Sequence, residues 1–436
     1  MRIDQIEITN FKCFEHKTIQ FSPRFNVLSG DNGTGKTAIL DALAVGMGAL
    51  LLGFNYAKRR HIKPHEMRHV GYYMGQNLKV EPQPPTKLHY RGELNHSGTI
   101  RWERRLMKKD SPTVTKTWGE NSMRDLTKEL QKRVQAGDNT VILPLLSYYG
   151  TCHLCLQLPE NPGDFITPDS RLAIYRDCLN PVSYGEDMRR WFKTMEVAAL
   201  QQKVSKGVLE GLRTAVKTCL EDCKRVYYDL EYDSLLVEFT NGKIIPDYML
   251  SDGQRTILGL VADIAYKAAS LNPQLEEQAA VATPGIVLID ELDLHIHPNW
   301  QRQIVKNLKT TFPNLQFITT THSPFIIQSL SDGELIDLNE HDAEYADKSI
   351  EDIAEQVMGV PVPQRSQRYL EMMKAAKDYY RLLETAKNAS PVKKEQLKNR
   401  LDELAAPFSD NIAYHAFLEL QREVAGLGRG NANAAS

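Results

Sequence analysis

Cysteine is scarce and unpatterned in this sequence. There are six in 436 residues, at Cys13, Cys152, Cys155, Cys178, Cys219 and Cys223. Only Cys152 and Cys155 form a CxxC, and no second pair follows at zinc spacing. This excludes a disulfide framework and reads as buried, reduced thiols in an intracellular chain. An excess of one charge is also missing. Lys and Arg number 53 against 55 Asp and Glu, so the net charge is −2. No global field attracts nucleic acid, and any such contact needs a local patch. Long hydrophobic runs are lacking too. The longest, Ala38–Phe54, is interrupted by Asp41 and falls short of a membrane span. The opening Met-Arg-Ile-Asp-Gln has no apolar signal region. These absences predict a cytoplasmic protein with no membrane contact. Residues 425–436, rich in Gly, Ala and Asn, read as a disordered tail.

What is present is a set of short motifs. Gly30-Asp31-Asn32-Gly33-Thr34-Gly35-Lys36-Thr37 follows the strand-like run Phe25–Ser29 and precedes a helical run from Lys36 to Phe54. Strand, glycine loop and helix are the context of a Walker A phosphate loop. The glycines let backbone amides turn toward phosphates, and the helix N-terminus adds positive potential. Lys36 is expected to reach the β- and γ-phosphates of ATP, and Thr37 to hold Mg²⁺. Ile286-Val287-Leu288-Ile289-Asp290-Glu291 fits the Walker B pattern of a buried strand ending in two acids. Asp290 is the expected Mg²⁺ partner, and Glu291 the base that orients the attacking water.

Leu250-Ser251-Asp252-Gly253-Gln254-Arg255 precedes a helix and resembles the ABC signature, with Asp252 in place of the usual glycine. The resemblance implies that Ser251, Gly253 and Gln254 face the γ-phosphate held by a second copy of the chain. Asp252 should point away from it, and turnover should be slow. His322, in Thr319-Thr320-Thr321-His322-Ser323-Pro324, resembles the switch histidine that contacts the γ-phosphate. Asp293-Leu294-His295-Ile296-His297-Pro298 reads as the D-loop, with Asp293 crossing toward the partner's phosphate loop and Pro298 starting a helix. A metal site at His295 and His297 is the lesser reading.

Apolar periodicity supplies the organisation. Leu88–Leu94 and Ile100–Leu106 flank Asn95-His96-Ser97-Gly98 as a hairpin. Residues 185–232 carry helical periodicity, and Leu235–Phe239 and Lys243–Ile245 form a hairpin around Asn241-Gly242. Helices are expected at 251–271, 298–311, 365–388, 391–406 and 410–424. The resulting fold class is α/β. It is an ABC-type P-loop ATPase with a mixed sheet, an antiparallel β subdomain, a short helical insertion and a helical C-terminal region. The expected boundaries are 1–340 for the ATPase domain, about 55–150 for the β subdomain, about 165–232 for the helical insertion and 345–424 for the C-terminal helices.

These motifs, in this order, resemble the SMC/RecF-like branch of ABC ATPases. Ile6-Glu7-Ile8-Thr9-Asn10-Phe11-Lys12-Cys13-Phe14, Leu145–Thr151 and the segment from Asp290 to Gln301 are similar to the PtuA family of Septu-type anti-phage ATPases, retron-associated members included. The resemblance implies a homodimer or higher homo-oligomer assembled around ATP. It also implies an HNH nuclease partner (PtuB-like), with nucleic acid reached through the complex. The C-terminal helices, which carry no catalytic signal and show an apolar stripe of Tyr369, Met372, Met373, Ala376 and Tyr380, are the expected docking surface. A rival is a DNA-repair ATPase that contacts phosphates directly, through Lys58-Arg59-Arg60-His61 and the basic stretch Arg101–Lys109 that holds Arg104 and Arg105. A transporter subunit is the weaker third.

Overall fold

The computed structural model describes residues 1–436 except 56, 95–97, 110, 119–122, 152–169, 182–184, 202–205, 341–344, 346, 388–390, 409 and 425–436. The CxxC at Cys152 and Cys155, the 95–97 turn and the tail therefore lie outside the described residues. The chain divides into two units, Met1–Gly359 and Val360–Ser436.

The first unit begins with β1 (Arg2–Phe11), β2 (Phe14–Gln20), β3 (Phe25–Ser29) and α1 (Lys36–Leu50). Next come β4 (His69–Met74), β5 (Asn77–Pro82), β6 (Thr86–Glu93), β7 (Thr99–Leu106), β8 (Val114–Trp118), α2 (Met123–Gln135) and β9 (Leu145–Tyr149). Helices α3 (Gly185–Leu200) and α4 (Lys206–Cys219) lead to β10 (Cys223–Asp229), β11 (Ser234–Phe239) and β12 (Ile244–Pro246). Then follow α5 (Asp252–Leu271), α6 (Ala279–Ala282), β13 (Gly285–Ile289), α7 (Pro298–Thr311), β14 (Leu315–Thr320), α8 (Pro324–Gln328), β15 (Leu335–Asp337) and α9 (Ile350–Asp352).

Parallel and antiparallel strands occupy separate sheets. The parallel sheet has the order β15-β3-β14-β13-β9. Its strands β3, β13 and β14 are buried throughout, as their unbroken apolar runs require. The antiparallel sheet has the order β2-β1-β6-β7-β8, so it takes in the N-terminal hairpin as well as the 86–118 segment. Alternation decides its faces. Ile6, Ile8, Leu88, Tyr90 and Trp102 point inward, whereas Glu7, His89 and Arg101 lie on the outer side. The buried Gln316 joins the two sheets, since its amide donates to the Ile3 and Ser22 carbonyls and accepts from the Ile3 amide.

Helix α1 packs against strands of both sheets. It is apolar nearly all round and almost fully buried. The antiparallel sheet grips it through two ring donors. The Tyr90 hydroxyl donates to the Ala42 carbonyl at 2.6 Å, and Trp102 Nε1 to the Gly46 carbonyl at 3.2 Å. The two rings stack with centroids 5.1 Å apart.

The helical reading of 185–232 needs correction at its end. Helices occupy 185–200 and 206–219, but Cys223–Asp229 is a strand paired antiparallel to β11. Leu220 ends the apolar helical stripe, and Val226-Tyr227-Tyr228 is better suited to a pleated, half-buried surface. The hairpin β4–β5 falls in a stretch whose sequence gave no clear periodicity.

In the second unit, α10 (Gln367–Lys387), α11 (Pro391–Ala405) and α12 (Ile412–Val424) share a small core of Tyr379, Leu383, Leu401, Ala405 and Leu418. Among the described residues, no helix is long and apolar enough to cross a membrane.

The grip on α1 sets a prediction. Replacing a mid-helix glycine by alanine ordinarily stabilises by about 1 kcal/mol. At Gly46 an added Cβ would press into the Tyr90 ring, 2.6 Å from Cζ. Overpacking of that kind costs about 1–3 kcal/mol. Gly46→Ala should therefore lower the urea midpoint, and a raised midpoint would refute the packing argument.

Candidate functional site

The parallel strands β3, β13 and β14 end side by side, which brings their C-terminal loops together. Such loops are where ligands bind in open α/β sheets. The loop after β3 is Gly30–Gly35, and its conformation explains its glycines. Gly33 and Gly35 have φ of +89° and +97°. A Cβ on Gly35 would also lie 2.5 Å from Phe14 Cζ and 2.6 Å from Cys13 Sγ. Lys36, nearly buried, donates to the carbonyls of Gly30 at 2.7 Å and Asp31 at 2.9 Å. Burial holds its ammonium below the ordinary lysine value, opposed by the carboxylates of Asp290, Asp31, Glu291 and Asp293. Asn339 Oδ1 accepts the Asp31 amide at 3.2 Å, and the Thr34 hydroxyl donates to the Asp31 carbonyl at 2.9 Å. Asn32 is exposed on the same loop.

Walker A and Walker B meet at Asp290. Its carboxylate is 5% exposed. The Thr37 hydroxyl donates to Oδ2 at 3.0 Å, and the Thr320 hydroxyl to Oδ1 at 2.7 Å. Thr320 also accepts the Glu291 amide at 2.7 Å, which fixes the backbone turn there, where Glu291 has φ of +54°. A glutamate in that left-handed region is costly and occurs mainly where the site needs a side chain aimed off the strand. Thr320 touches both acids of the Walker B motif, a position that motif reading missed. The signal was the Thr319-Thr320-Thr321 run on a strand next to Walker B.

The fit for Mg²⁺ rests on this donor set. Thr37 and Asp290 place a hydroxyl and a carboxylate oxygen together, and hard oxygen ligands of this kind suit that ion. Thr37 and Asp290 are the residues that would hold it.

The D-loop and the switch loop are tied to one another. Asp293 Oδ1 accepts from the Thr321 hydroxyl at 2.6 Å and from the His322 amide at 3.2 Å. Gln301 donates to the Asp293 and Ile296 carbonyls and accepts from the Ser323 hydroxyl at 2.7 Å. The structure thus engages one oxygen of Asp293 within its own chain, beneath the exposed His322. His297 caps α7 by accepting the Asn299 amide, which accounts for it without a metal.

Ser251 caps α5 in a capping box with Gln254. Gly253 is buried against the D-loop, where a Cβ would lie 2.8 Å from the His295 carbonyl oxygen. Asp252 is exposed and lies 3.8 Å from Arg255. Further along α5, Asp263 is 4% exposed. It pairs with Lys267 at 2.6 Å and accepts from the Tyr149 hydroxyl at 2.6 Å. Lys267 also donates to Ser147 at 2.9 Å. The Tyr149 carbonyl in turn accepts the Asp290 amide at 2.8 Å. One residue therefore joins the signature helix to the Walker B strand. Sequence reading singled out Tyr149 only as part of a resemblance.

The basic stretches are only partly available to a ligand. Arg104 is 0% exposed and donates to Thr115, His61 and the Arg60 carbonyl. Burial brings its guanidinium down to about 10. Arg60 pairs with Glu66 and Asp41 beneath the surface. Strand alternation sends Arg104 inward and Arg101 and Arg105 outward, so Arg104 is no phosphate contact.

With this geometry in place, comparisons with known proteins are informative. An AAA domain family model matches residues 5–224. A second AAA domain model, whose description adds the AbiEii toxin of type IV toxin–antitoxin systems, matches 164–328. The Septu protein PtuA of Bacillus thuringiensis is 30% identical, over 85% of this chain and 87% of that protein. The Septu protein PtuA of Bacillus mycoides is 28% identical, over 92% of this chain and 50% of that one. The Retron Vc95 probable ATPase of Vibrio cholerae is 39% identical, over 33% of this chain and 26% of that protein. The chain thus spans half or less of the length of two of these relatives.

The Tyr149 link is testable through stability. Tyr149→Phe keeps the ring but leaves the buried Asp263 carboxylate short of a donor, which costs about 1–3 kcal/mol. Urea unfolding should register that loss, and an unchanged midpoint would show that the hydroxyl contributes nothing.

Proposed function

Since this chain belongs to the PtuA family and carries its AAA domain, we propose that it is an ATPase whose two copies close around ATP and Mg²⁺ to control a separate nuclease. The observation that carries this reading is the Thr37–Asp290 hydrogen bond, which joins the phosphate loop to the acid strand. Mg²⁺ held there would neutralise charge on the phosphates. Lys36 would leave the Gly30 and Asp31 carbonyls for the β- and γ-phosphates. Glu291 would accept a proton from the attacking water, its backbone held by Thr320. His322 would contact the γ-phosphate through the side chain left exposed above Asp293.

The second copy would supply Ser251, Gly253 and Gln254 from the N-terminus of its own α5, with Asp252 turned toward Arg255. A helix N-terminus facing phosphate is favourable, and it gives ATP a role in assembly as well as in chemistry. Engagement would reach the Walker B strand through Asp263 and Tyr149. In this reading the protein works in the cytoplasm, and its output is an HNH-type nuclease held in check by the nucleotide state of the oligomer.

The nuclease contact is placed on the C-terminal unit. There α12 leaves Ile412, Phe417, Leu420 and Val424 exposed on helical spacing, an apolar stripe suited to a partner. Of the α10 stripe, Met373 is exposed and Tyr369, Met372, Ala376 and Tyr380 are half-buried, while Tyr379 and Leu383 fill the unit's core.

Two measurements test the proposal. Glu291→Gln should retain ATP binding and accumulate a dimer in light scattering, with hydrolysis reduced on the order of a hundredfold or more. Lys36→Ala should weaken ATP binding itself. Hydrolysis at the parental rate in Glu291→Gln would remove Glu291 as the base. Separately, Phe417→Asp with Leu420→Asp should abolish co-purification of an HNH nuclease encoded beside this protein while ATP binding stays intact. Retained co-purification would move the contact elsewhere.

A further inference from the structure

The outer face of the antiparallel sheet carries charge that the protein does not neutralise. Register places its outward residues in rows. Gln5, Arg91, Arg101 and Trp118 lie across β1, β6, β7 and β8, and so do Glu7, His89, Glu103 and Lys116 in the next row. Lys87, Arg105 and Val114 form a third row on β6, β7 and β8. In these three rows five cations, Lys87, Arg91, Arg101, Arg105 and Lys116, thus stand with two carboxylates, and Glu93 at the edge of the face pairs with Arg2 at 3.0 Å. One of the two, Glu103, is buried beneath His89 at 2.9 Å with Arg105 at 3.6 Å. Among the described residues, Lys87, Arg91 and Arg101 have no carboxylate partner. A chain of net charge −2 leaves this positive surface on one sheet face, which is a local patch and not a consequence of composition.

The face also has an aromatic surface and a depression. Trp118 is 42% exposed. His89 stacks beside it with centroids 5.9 Å apart, and the Lys116 ammonium lies 4.9 Å from the ring centroid. A depression of about 440 Å³ opens there, lined by Gln5, Glu7, His89, Arg91, Arg101 and Trp118. Its lining combines two guanidinium groups for phosphate, an aromatic ring for a base face, and amide, carboxylate and imidazole groups for base edges. Its size suits one unstacked nucleotide.

We propose that this sheet face binds single-stranded nucleic acid, with one base against Trp118 and its neighbouring phosphates on Arg91 and Arg101. A duplex offers phosphates but hides its base faces, so it uses the cations and not the ring. A single strand uses both. The surface is separate from the nucleotide site, because the sheet's inner face packs on α1. The proposal goes beyond ATP-driven assembly and does not depend on it.

The test is fluorescence anisotropy of the full chain with labelled oligo-dT and oligo-U of about 16 nucleotides, titrated with salt. Binding to either oligonucleotide is expected, and the ratio of the two affinities assigns the sugar preference. Trp118→Ala should weaken binding about tenfold. Arg91→Ala with Arg101→Ala should lower the salt slope by about 1.4, at about 0.7 per lost phosphate contact. Lys224→Ala, on the separate β10–β12 sheet, should change nothing. Circular dichroism and ATP binding on the same variants separate lost folding, or a failed ATPase reading, from a lost surface. Absence of binding, tighter binding to a duplex of the same sequence, or parental affinity in Trp118→Ala would overturn the proposal.

Discussion

Asp290 is a buried carboxylate at the end of a buried strand, and the site is built around keeping it there. An unpaired charge at that depth is unfavourable, so each oxygen must find a donor. Thr37 supplies one from the start of α1, and Thr320 supplies the other from the end of β14. Tyr149 takes its backbone amide from β9. Satisfying one acid therefore fixes four elements relative to each other: the phosphate loop helix, both neighbouring strands and the Walker B strand itself. The same Thr320 hydroxyl then holds the next residue, Glu291, in a conformation it would not adopt alone.

From that centre the structure branches in two directions. One branch runs through Asp293 and Gln301 to the loop bearing His322, so the switch and D-loop segments share hydrogen bonds and are constrained to move together. The other runs through Tyr149 to Asp263 and Lys267 on α5, whose N-terminus is the signature. The second branch gives the signature helix a short polar route to Asp290, because the Tyr149 hydroxyl meets the buried Asp263 and the Tyr149 carbonyl accepts the Asp290 amide. The antiparallel sheet contributes from the other side, because Tyr90 and Trp102 fix α1 and with it Lys36 and Thr37.

Much of this was legible in the residues. The phosphate loop, the two acids and the signature follow from local rules: glycine where φ is positive, an unbroken apolar run for a strand buried on both faces, and a serine before an amphipathic helix. The roles of Thr320, Asn339 and Tyr149 were not, because Tyr149 and Asn339 act through partners 114 and 308 positions away in the chain and Thr320 acts through a bond to a neighbouring strand. The strand at Cys223–Asp229 was misread as helix because its apolar residues continue those of α4, and only pairing with β11 distinguishes the two. The hairpin β4–β5 escaped notice because nearly all of its side chains are exposed, so burial imposes no alternation on it.

The sequence by itself determined which chemistry this protein carries: a phosphate loop, an acid pair and a helix start of signature type, each encoded within eight or fewer consecutive residues. Tertiary structure decided what those segments touch. It chose which oxygen of Asp290 meets which hydroxyl, turned part of Asp293 inward, and buried Arg104 while leaving Arg101 on the surface. The physical reason is that local sequence fixes backbone preference and face alternation. The partners that satisfy a buried charge, or leave a surface one free, are brought together only when distant strands pair and close the core.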